Sequence, residues 1–336
     1  MSLSTFKTIF DTQMKSYVET KIDLSKKILN HQKLNNFVDY FFDYVFQGKR
    51  IRPYVLYLSY KGLQNDDEIL RFGTIFELLH TMALIHDDII DQAAKRHNVP
   101  TIHNYIDSQI HNMHIAEQAI LFDLVLSRVY ELQNKSFAFP SDLIQRARIN
   151  IHDMIEELIL GQMIDVDTMT ETLSEEHLEK KNLYKSAKYS FSRPMTTGAI
   201  LAANYDQLQM LEDLIAMGLA FQIRDDLMDL VQHDTSKSIF SDIQEGQQTI
   251  FTNYIYTKGS PSEKTLLHSC MGKKLDTTKI SELQNMLHTS GAIEYGKNLI
   301  ADYGSKAFTT LEKINMNTQE KQNFKELIEK IISIKI

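Results

Sequence analysis

The chain is poor in the residues that interrupt or staple a fold: one cysteine, five prolines and twelve glycines among 336 residues. A lone Cys270 excludes an internal disulfide and fits a reducing compartment. So few helix breakers argue for long helices joined by few turns. No uninterrupted apolar run reaches the length that crosses a bilayer. The N-terminus lacks the basic-then-apolar pattern of a secretion signal, and Asp11 and Lys15 interrupt it early. Positive charge is also short. With 36 Lys and Arg against 44 Asp and Glu, the formal net charge is −8. That balance gives no support for nucleic-acid binding. A soluble, cytoplasmic protein without a membrane span is expected.

What the sequence does have is apolar mass, 43% of its residues, enough for one large core. It shows no linker and no low-complexity tract, so a single all-α domain over 1–336 is the simplest account. Helical spacing runs through 5–30 (Phe6, Phe10, Met14, Val18) and again through 141–165. Phe37, Tyr40, Phe41, Phe42, Tyr44 and Phe46 form an aromatic stripe, read as core or subunit interface. Pro53 suits the first turn of a helix, whereas Pro194 is expected to kink or break one. Gly198, Ala199, Ala202 and Ala203 permit close helix packing. Residues 237–249 read as a loop turning at Gly246. His103, His111 and His114 form a loose group, read as solvated side chains and not as metal ligands.

The chemistry gathers at Leu79–Asp91. An apolar run enters Asp87-Asp88-Ile89-Ile90-Asp91. On a helix, Asp87 and Asp91 lie one turn apart on one face. A solvated acidic edge is the common meaning of such a cluster, but the preceding turns are apolar. Buried carboxylates need a cation, and an all-oxygen set suits Mg²⁺ over zinc. The same spacing returns as Asp225-Asp226-Leu227-Met228-Asp229, again after an apolar run. Two such helices facing each other fit Mg²⁺ around a phosphorylated ligand, because Mg²⁺ uses few carboxylates plus substrate phosphates. Cations accompany them. Gly48-Lys49-Arg50-Ile51-Arg52-Pro53 holds three in four residues, alone a basic surface loop, with the acids a candidate diphosphate clamp. A second basic turn is Lys95-Arg96-His97.

These motifs come in a fixed order with His80, Gly161-Gln162-Met163-Ile164-Asp165, Lys185-Ser186, Phe221-Gln222, Lys237, Asp242 and Thr249. In order and spacing the chain resembles the trans-isoprenyl diphosphate synthases of the polyprenyl synthetase family. The resemblance implies an all-α bundle of the isoprenoid synthase type around a central cavity, usually a homodimer. It implies a chain-elongating, Mg²⁺-dependent condensation of isopentenyl diphosphate with an allylic diphosphate. Metal ligands are implied at Asp87, Asp88, Asp91, Asp225, Asp226 and Asp229, with three ions when the allylic diphosphate is bound. Catalytic positions are implied at Asp87, Asp88, Asp91, Lys185, Gln222, Asp225 and Asp226. Isopentenyl diphosphate is expected at Lys49, Arg52, His80 and His97. The allylic diphosphate is expected at Arg96, Lys185 and Lys237, beside Ser186 and Gln222.

Two departures stand out. The family's second arginine after the first acidic motif is His97 here, whose charge is partial at neutral pH. The family's later Gly-Lys-x-Thr is Gly246-Gln247-Gln248-Thr249, so a lysine is lost. Both point to weaker binding or altered selectivity. Leu79, Met82 and Ala83, just ahead of Asp87, are the chain-length candidates. Ala83 is small enough to let a growing tail pass, so a product of geranylgeranyl length or beyond is expected. Two alternatives compete: a weakly active or regulatory subunit of a heteromeric synthase, and a class I terpene cyclase. Intact aspartates in both clusters weigh against the former. The cyclase would carry an Asn/Ser/Glu triad where this chain has Asp225, Asp226 and Asp229.

Overall fold

The computed structural model describes residues 1–334 apart from 65–67, 97, 111–118, 135–136, 168–173 and 232–238. His97, His111, His114 and Lys237 therefore lie outside the described residues. The fold is all-α. Its helices are α1 (Leu3–Leu29), α2 (Gln32–Val45), α3 (Ile51–Leu63), α4 (Ile69–Ile90), α5 (Ile102–Gln109), α6 (Ala119–Asn134), α7 (Ser141–Asp167) and α8 (Glu175–Lys181). After a π-helical stretch (Asn182–Ser192) follow α9 (Arg193–Leu201), α10 (Leu208–Asp213), α11 (Ile215–Val231), α12 (Ser241–Glu245) and α13 (Ile250–Lys258). The last four are α14 (Pro261–Cys270), α15 (Thr277–Thr289), α16 (Ala292–Lys313) and α17 (Thr318–Ile332). The only strands among the described residues are β1 (Lys95–Arg96) and β2 (Val99–Pro100), an antiparallel pair that turns the chain back after α4.

Local chemistry sets many of the helix ends. Ser2, Ser174, Thr249, Ser260, Asp276 and Asn317 each cap a helix through the side-chain oxygen. The large core cluster runs through Phe6, Phe72, Phe76, Phe191 and Phe324, and a smaller one packs the end of α11 against α12–α16 through Leu227, Phe251 and Ile300. The aromatic stripe of α2 joins the large core. α4 is long and apolar enough to cross a membrane by length and composition, which qualifies the expectation above. Most of that segment is buried inside the bundle, as a core helix would be.

Three local expectations change. Ser241–Glu245 is helical, not loop, and ends at Gly246 in the left-handed region (φ 80°). His103 is buried, not solvated. Burial holds its imidazole below the usual range. Pro194 does not break its helix. It sits in the first turn of α9, directly after the π stretch. Proline gives no N–H and crowds the carbonyl four residues back. The wider π register ahead of it absorbs that conflict: Arg193 N–H reaches back five residues to Lys188 C=O.

The π stretch is clamped between two helices. A Cβ on Gly161 of α7 would lie 2.5 Å from Lys185 N, and one on Gly218 of α11 would lie 2.7 Å from Ala187 Cα. Only glycine allows both backbones so close. Gly198 does the same for α9 against α3, where a Cβ would meet Ser59 Oγ at 2.0 Å.

Arg50 is the largest surprise of the basic turn. It adopts a left-handed conformation (φ 58°) and is 1% exposed. Its Nε donates to Asp11 of α1 at 2.6 Å and its Nη1 to Glu77 of α4. Nη1 and Nη2 also donate to the Gln47 and Phe46 carbonyls at 2.9 and 2.8 Å, ending α2. Arg50 therefore joins three helices and takes no part in a clamp. Burial raises the Glu77 carboxyl, and Arg50 opposes that rise. Replacing Arg50 by Met strands Glu77 and should cost about 3–5 kcal/mol in urea unfolding at neutral pH. A carboxyl raised in the folded state loses stability as pH climbs past its unfolded value. The penalty should therefore shrink as pH falls and Glu77 takes up a proton.

Candidate active site

The first acidic cluster occupies the last turn of α4. Its three carboxylates have different surroundings. Asp88 is 1% exposed. One oxygen accepts from Arg96 at 2.7 Å and the other from the Tyr44 hydroxyl of α2. Asp87 is more open. It accepts from Arg96 Nη2 at 3.3 Å and lies 3.3 Å from Lys185 Nζ. Asp91 caps the end of the helix, and Gln247 Nε2 donates to its Oδ1 at 3.4 Å. Burial first, and then the Asp87 charge, push the Asp91 carboxyl up to about 7. Arg96 reaches its two acids because the β1–β2 pair folds it back over the end of α4.

The second cluster lies on α11. Asp226 is buried and accepts from Gln222 Nε2 at 2.6 Å. Burial, with Asp225 and Asp229 adding to it, lifts this carboxyl to about 7. Asp229 is used otherwise. Its Oδ1 accepts from the backbone N–H and hydroxyl of Ser241, and its Oδ2 from Asp242 N–H at 3.1 Å. It thus holds the start of α12. Asp242, brought beside it, is raised well above the usual carboxylate range by burial and by Asp229 and Asp226.

The π stretch carries the groups that join the clusters. Lys185 Nζ donates to Asp165 of α7 while facing Asp87. Ser186 donates to Gln222 Oε1, and Gln222 in turn to Asp226. Two adjacent residues therefore lead to the two acidic helices. Burial pulls the Lys185 ammonium down, but Asp87 and Asp165 override it and the net shift is upward. Asp165 is 0% exposed. Burial pushes it up, yet Lys185 and Lys181 hold it below the usual carboxylate range.

A second group lies one turn further along the same stretch. Arg52, in the first turn of α3, donates through Nη2 to Ser190 Oγ at 2.8 Å, and its guanidinium stacks 4.3 Å above the Tyr189 ring. The His80 ring lies 6.4 Å from the same tyrosine. Arg52 Nε and the Tyr189 hydroxyl are buried and find no hydrogen-bond partner among the described residues. Buried donors without acceptors mark a place for an anion. Lys49 is exposed in the turn just before α3. The expected clamp thus reduces to Arg52 and His80, with Lys49 at its rim.

Leading up to Asp87, itself half-buried, the half-buried residues of α4 are His80, Ala83, Leu84 and His86, whereas Leu79 and Met82 are buried. Ala83 therefore shares a stripe with His80 and Asp87, while the other two chain-length candidates pack into the core. Three contributors had no sequence signal of their own: Tyr44, hidden in the aromatic stripe, and Tyr189 and Ser190, hidden in a helix. Thr249 proves to be a helix cap, in a reciprocal pair with Thr252. Among the described residues no three His, Cys, Asp or Glu side chains close into a ligand set by themselves.

The sequence matches the family model of the polyprenyl synthetases over residues 31–289. It is 29% identical to a short chain isoprenyl diphosphate synthase of Methanothermobacter thermautotrophicus, covering 79% of this chain and 80% of that one. It is 27% identical to a geranylgeranyl diphosphate synthase of Sulfolobus acidocaldarius, covering 80% and 81%. Among solved structures, a geranylgeranyl pyrophosphate synthase from Corynebacterium glutamicum, complexed with isoprenyl diphosphate and magnesium, superposes with a TM-score of 0.90. It covers 99% of both chains at 22% identity, a likeness of fold. The chain belongs to the polyprenyl synthetase family, as a trans-prenyltransferase with the all-α isoprenoid synthase fold.

Proposed function

We propose that this protein is an Mg²⁺-dependent synthase that extends an allylic diphosphate with isopentenyl diphosphate to geranylgeranyl length or beyond. The observation that carries the reading is the pair of contacts made by adjacent residues: Lys185 facing Asp87, and Ser186 leading through Gln222 to Asp226. The donor set fits Mg²⁺. It is all oxygen, and the Asp91 and Asp226 carboxyls, both pushed up to about 7, are ionised at low cost only beside a cation. Asp87, Asp91, Asp225 and Asp226 are the residues we assign to hold it. Asp88 and Asp229, expected among the ligands, have both oxygens occupied by protein donors. We assign them to hold Arg96 and α12 in place.

When bound, Mg²⁺ would offset the charge that builds on the departing diphosphate. The chain's own residues do the rest. Arg96 and Lys185 offer further positive charge to the allylic diphosphate. Arg52, with its free Nε, and His80 hold the diphosphate of the second substrate one turn away. The apolar residues of α4 exclude water while the allylic C–O bond breaks. The second alkene then forms the new C–C bond to the allylic carbon and gives up a proton to the released diphosphate. His97 and Lys237 are assigned to the two diphosphates by resemblance alone.

Product length is assigned to Ala83, which shares the half-buried stripe with Asp87. The relatives include geranylgeranyl and geranylfarnesyl diphosphate synthases, and also a farnesyl pyrophosphate synthase; we take the former as support for a product longer than farnesyl. We also propose a homodimer. α7 exposes Ile149, Ile159, Leu160, Met163 and Val166, and the last four follow helical spacing on one side. A contiguous exposed apolar face of this kind marks an interface.

Purified protein, Mg²⁺, labelled isopentenyl diphosphate and a panel of allylic primers test the reading. Elongated diphosphates are expected, whereas silence supports the regulatory subunit, and hydrocarbon or alcohol without elongation supports the cyclase. Ala83→Phe should shorten the product by at least one isoprene unit on chromatography; an unchanged length removes Ala83 from the ruler. The raised carboxyls fix a sign for metal binding. Lower pH protonates Asp91 and Asp226, and protons then compete with the ion. Mg²⁺ should therefore raise the Tm more at about pH 8 than at about pH 6. An equal rise at both would show that neither carboxylate meets the ion.

A further inference from the structure

Lys181 belongs to none of the motifs, yet it is a buried cation at the centre of the site. It ends α8, is 7% exposed, and places Nζ 2.7 Å from Asp165 Oδ1. It also donates to the Gln248 carbonyl at 2.6 Å. A buried ammonium is costly unless it is paired and hydrogen-bonded, and Lys181 is both. Two contact paths leave it. One passes through Asp165 to Lys185 and on to Asp87. The other passes through Gln248 to its neighbour Gln247, whose amide reaches Asp91. Both end on the first acidic cluster. Lys181 is also the main positive charge acting on Asp226 and Asp242, the buried acids of the second side. The segment between α12 and α13 that it fastens has Gln247, Gln248 and Thr249 all buried and contributes no cation.

We propose that Lys181 is a positioning residue for the allylic diphosphate: it fixes Lys185 on Asp87 through their shared Asp165 and supplies, from α8, the charge that Gln247 cannot. The inference rests on the proposed function. If it holds, the lysine's charge is what counts, and a lysine placed at 247, beside Asp91, can replace part of it. A purely structural tie between α8 and the 246–249 segment would gain nothing from that second lysine.

Steady-state kinetics of Lys181→Met, Lys181→Arg and the double variant Lys181→Met/Gln247→Lys decide this. Lys181→Met should raise KM for the allylic diphosphate about tenfold and change KM for isopentenyl diphosphate less than about twofold. Lys181→Arg, which keeps the charge, should stay within about threefold of the original protein. The double variant should recover at least about half of the loss on a logarithmic scale. Equal rises in both KM values, or no recovery on adding the lysine at 247, would overturn the inference. Should Lys181→Met not fold, Lys181→Gln, which keeps a donor for the Gln248 carbonyl, carries the same comparison. If the unaltered protein elongates no primer, the proposed function fails on its own. Calorimetric binding of a non-reacting allylic thiolodiphosphate to the same variants then tests Lys181 separately. A tenfold weaker binding, restored by Gln247→Lys, supports its role, and unchanged binding removes it.

Discussion

Everything at the centre of this molecule leans on one carboxylate that sees no water. Asp165 is shared by Lys181 and Lys185, and through them it fixes how much positive charge the interior holds. The acids around it, Asp87, Asp88, Asp91, Asp225, Asp226, Asp229 and Asp242, outnumber the cations. Arg96 and Tyr44 satisfy Asp88, and the start of α12 satisfies Asp229. The deficit that remains falls on Asp91, Asp226 and Asp242, whose carboxyls burial drives upward. A site built this way favours a ligand that brings its own divalent cations, and a metal diphosphate does so. In the proposed reading, that electrostatic imbalance is what selects the ligand.

Much of this was legible in the sequence. Apolar periodicity placed α1 and α7, and apolar runs leading into the repeated Asp-Asp-x-x-Asp put the two acidic clusters on helices, α4 and α11. Spacing did not reveal how the six aspartates divide their labour. Whether Asp88 meets a ligand or Tyr44 depends on α2, more than forty positions away in the chain. The basic turn misled for a similar reason. Lys49, Arg50 and Arg52 look alike as a string, but a left-handed backbone at Arg50 sends it inward to Asp11 and Glu77. Lys181 stayed invisible because its two partners, Asp165 and Gln248, come from α7 and from the segment before α13. The π stretch leaves no mark in the sequence, because neither Pro194 nor the two clamping glycines alters the apolar period of 3.6.

The wide-turned helix has a geometric consequence of its own. Lys185 and Ser186 serve the aspartates, while Tyr189 and Ser190 serve Arg52 and His80, and each pair is four residues from the other. In an ordinary α-helix a step of four turns a side chain about 40° past its starting direction, because one turn takes 3.6 residues. With more residues per turn, the same step falls short of a full revolution. The pitch of this segment therefore sets the angle between the two groups, and with it the relative aim of the two proposed substrates. A one-residue deletion between them that restored α geometry would rotate one group against the other while leaving the side chains of both groups intact.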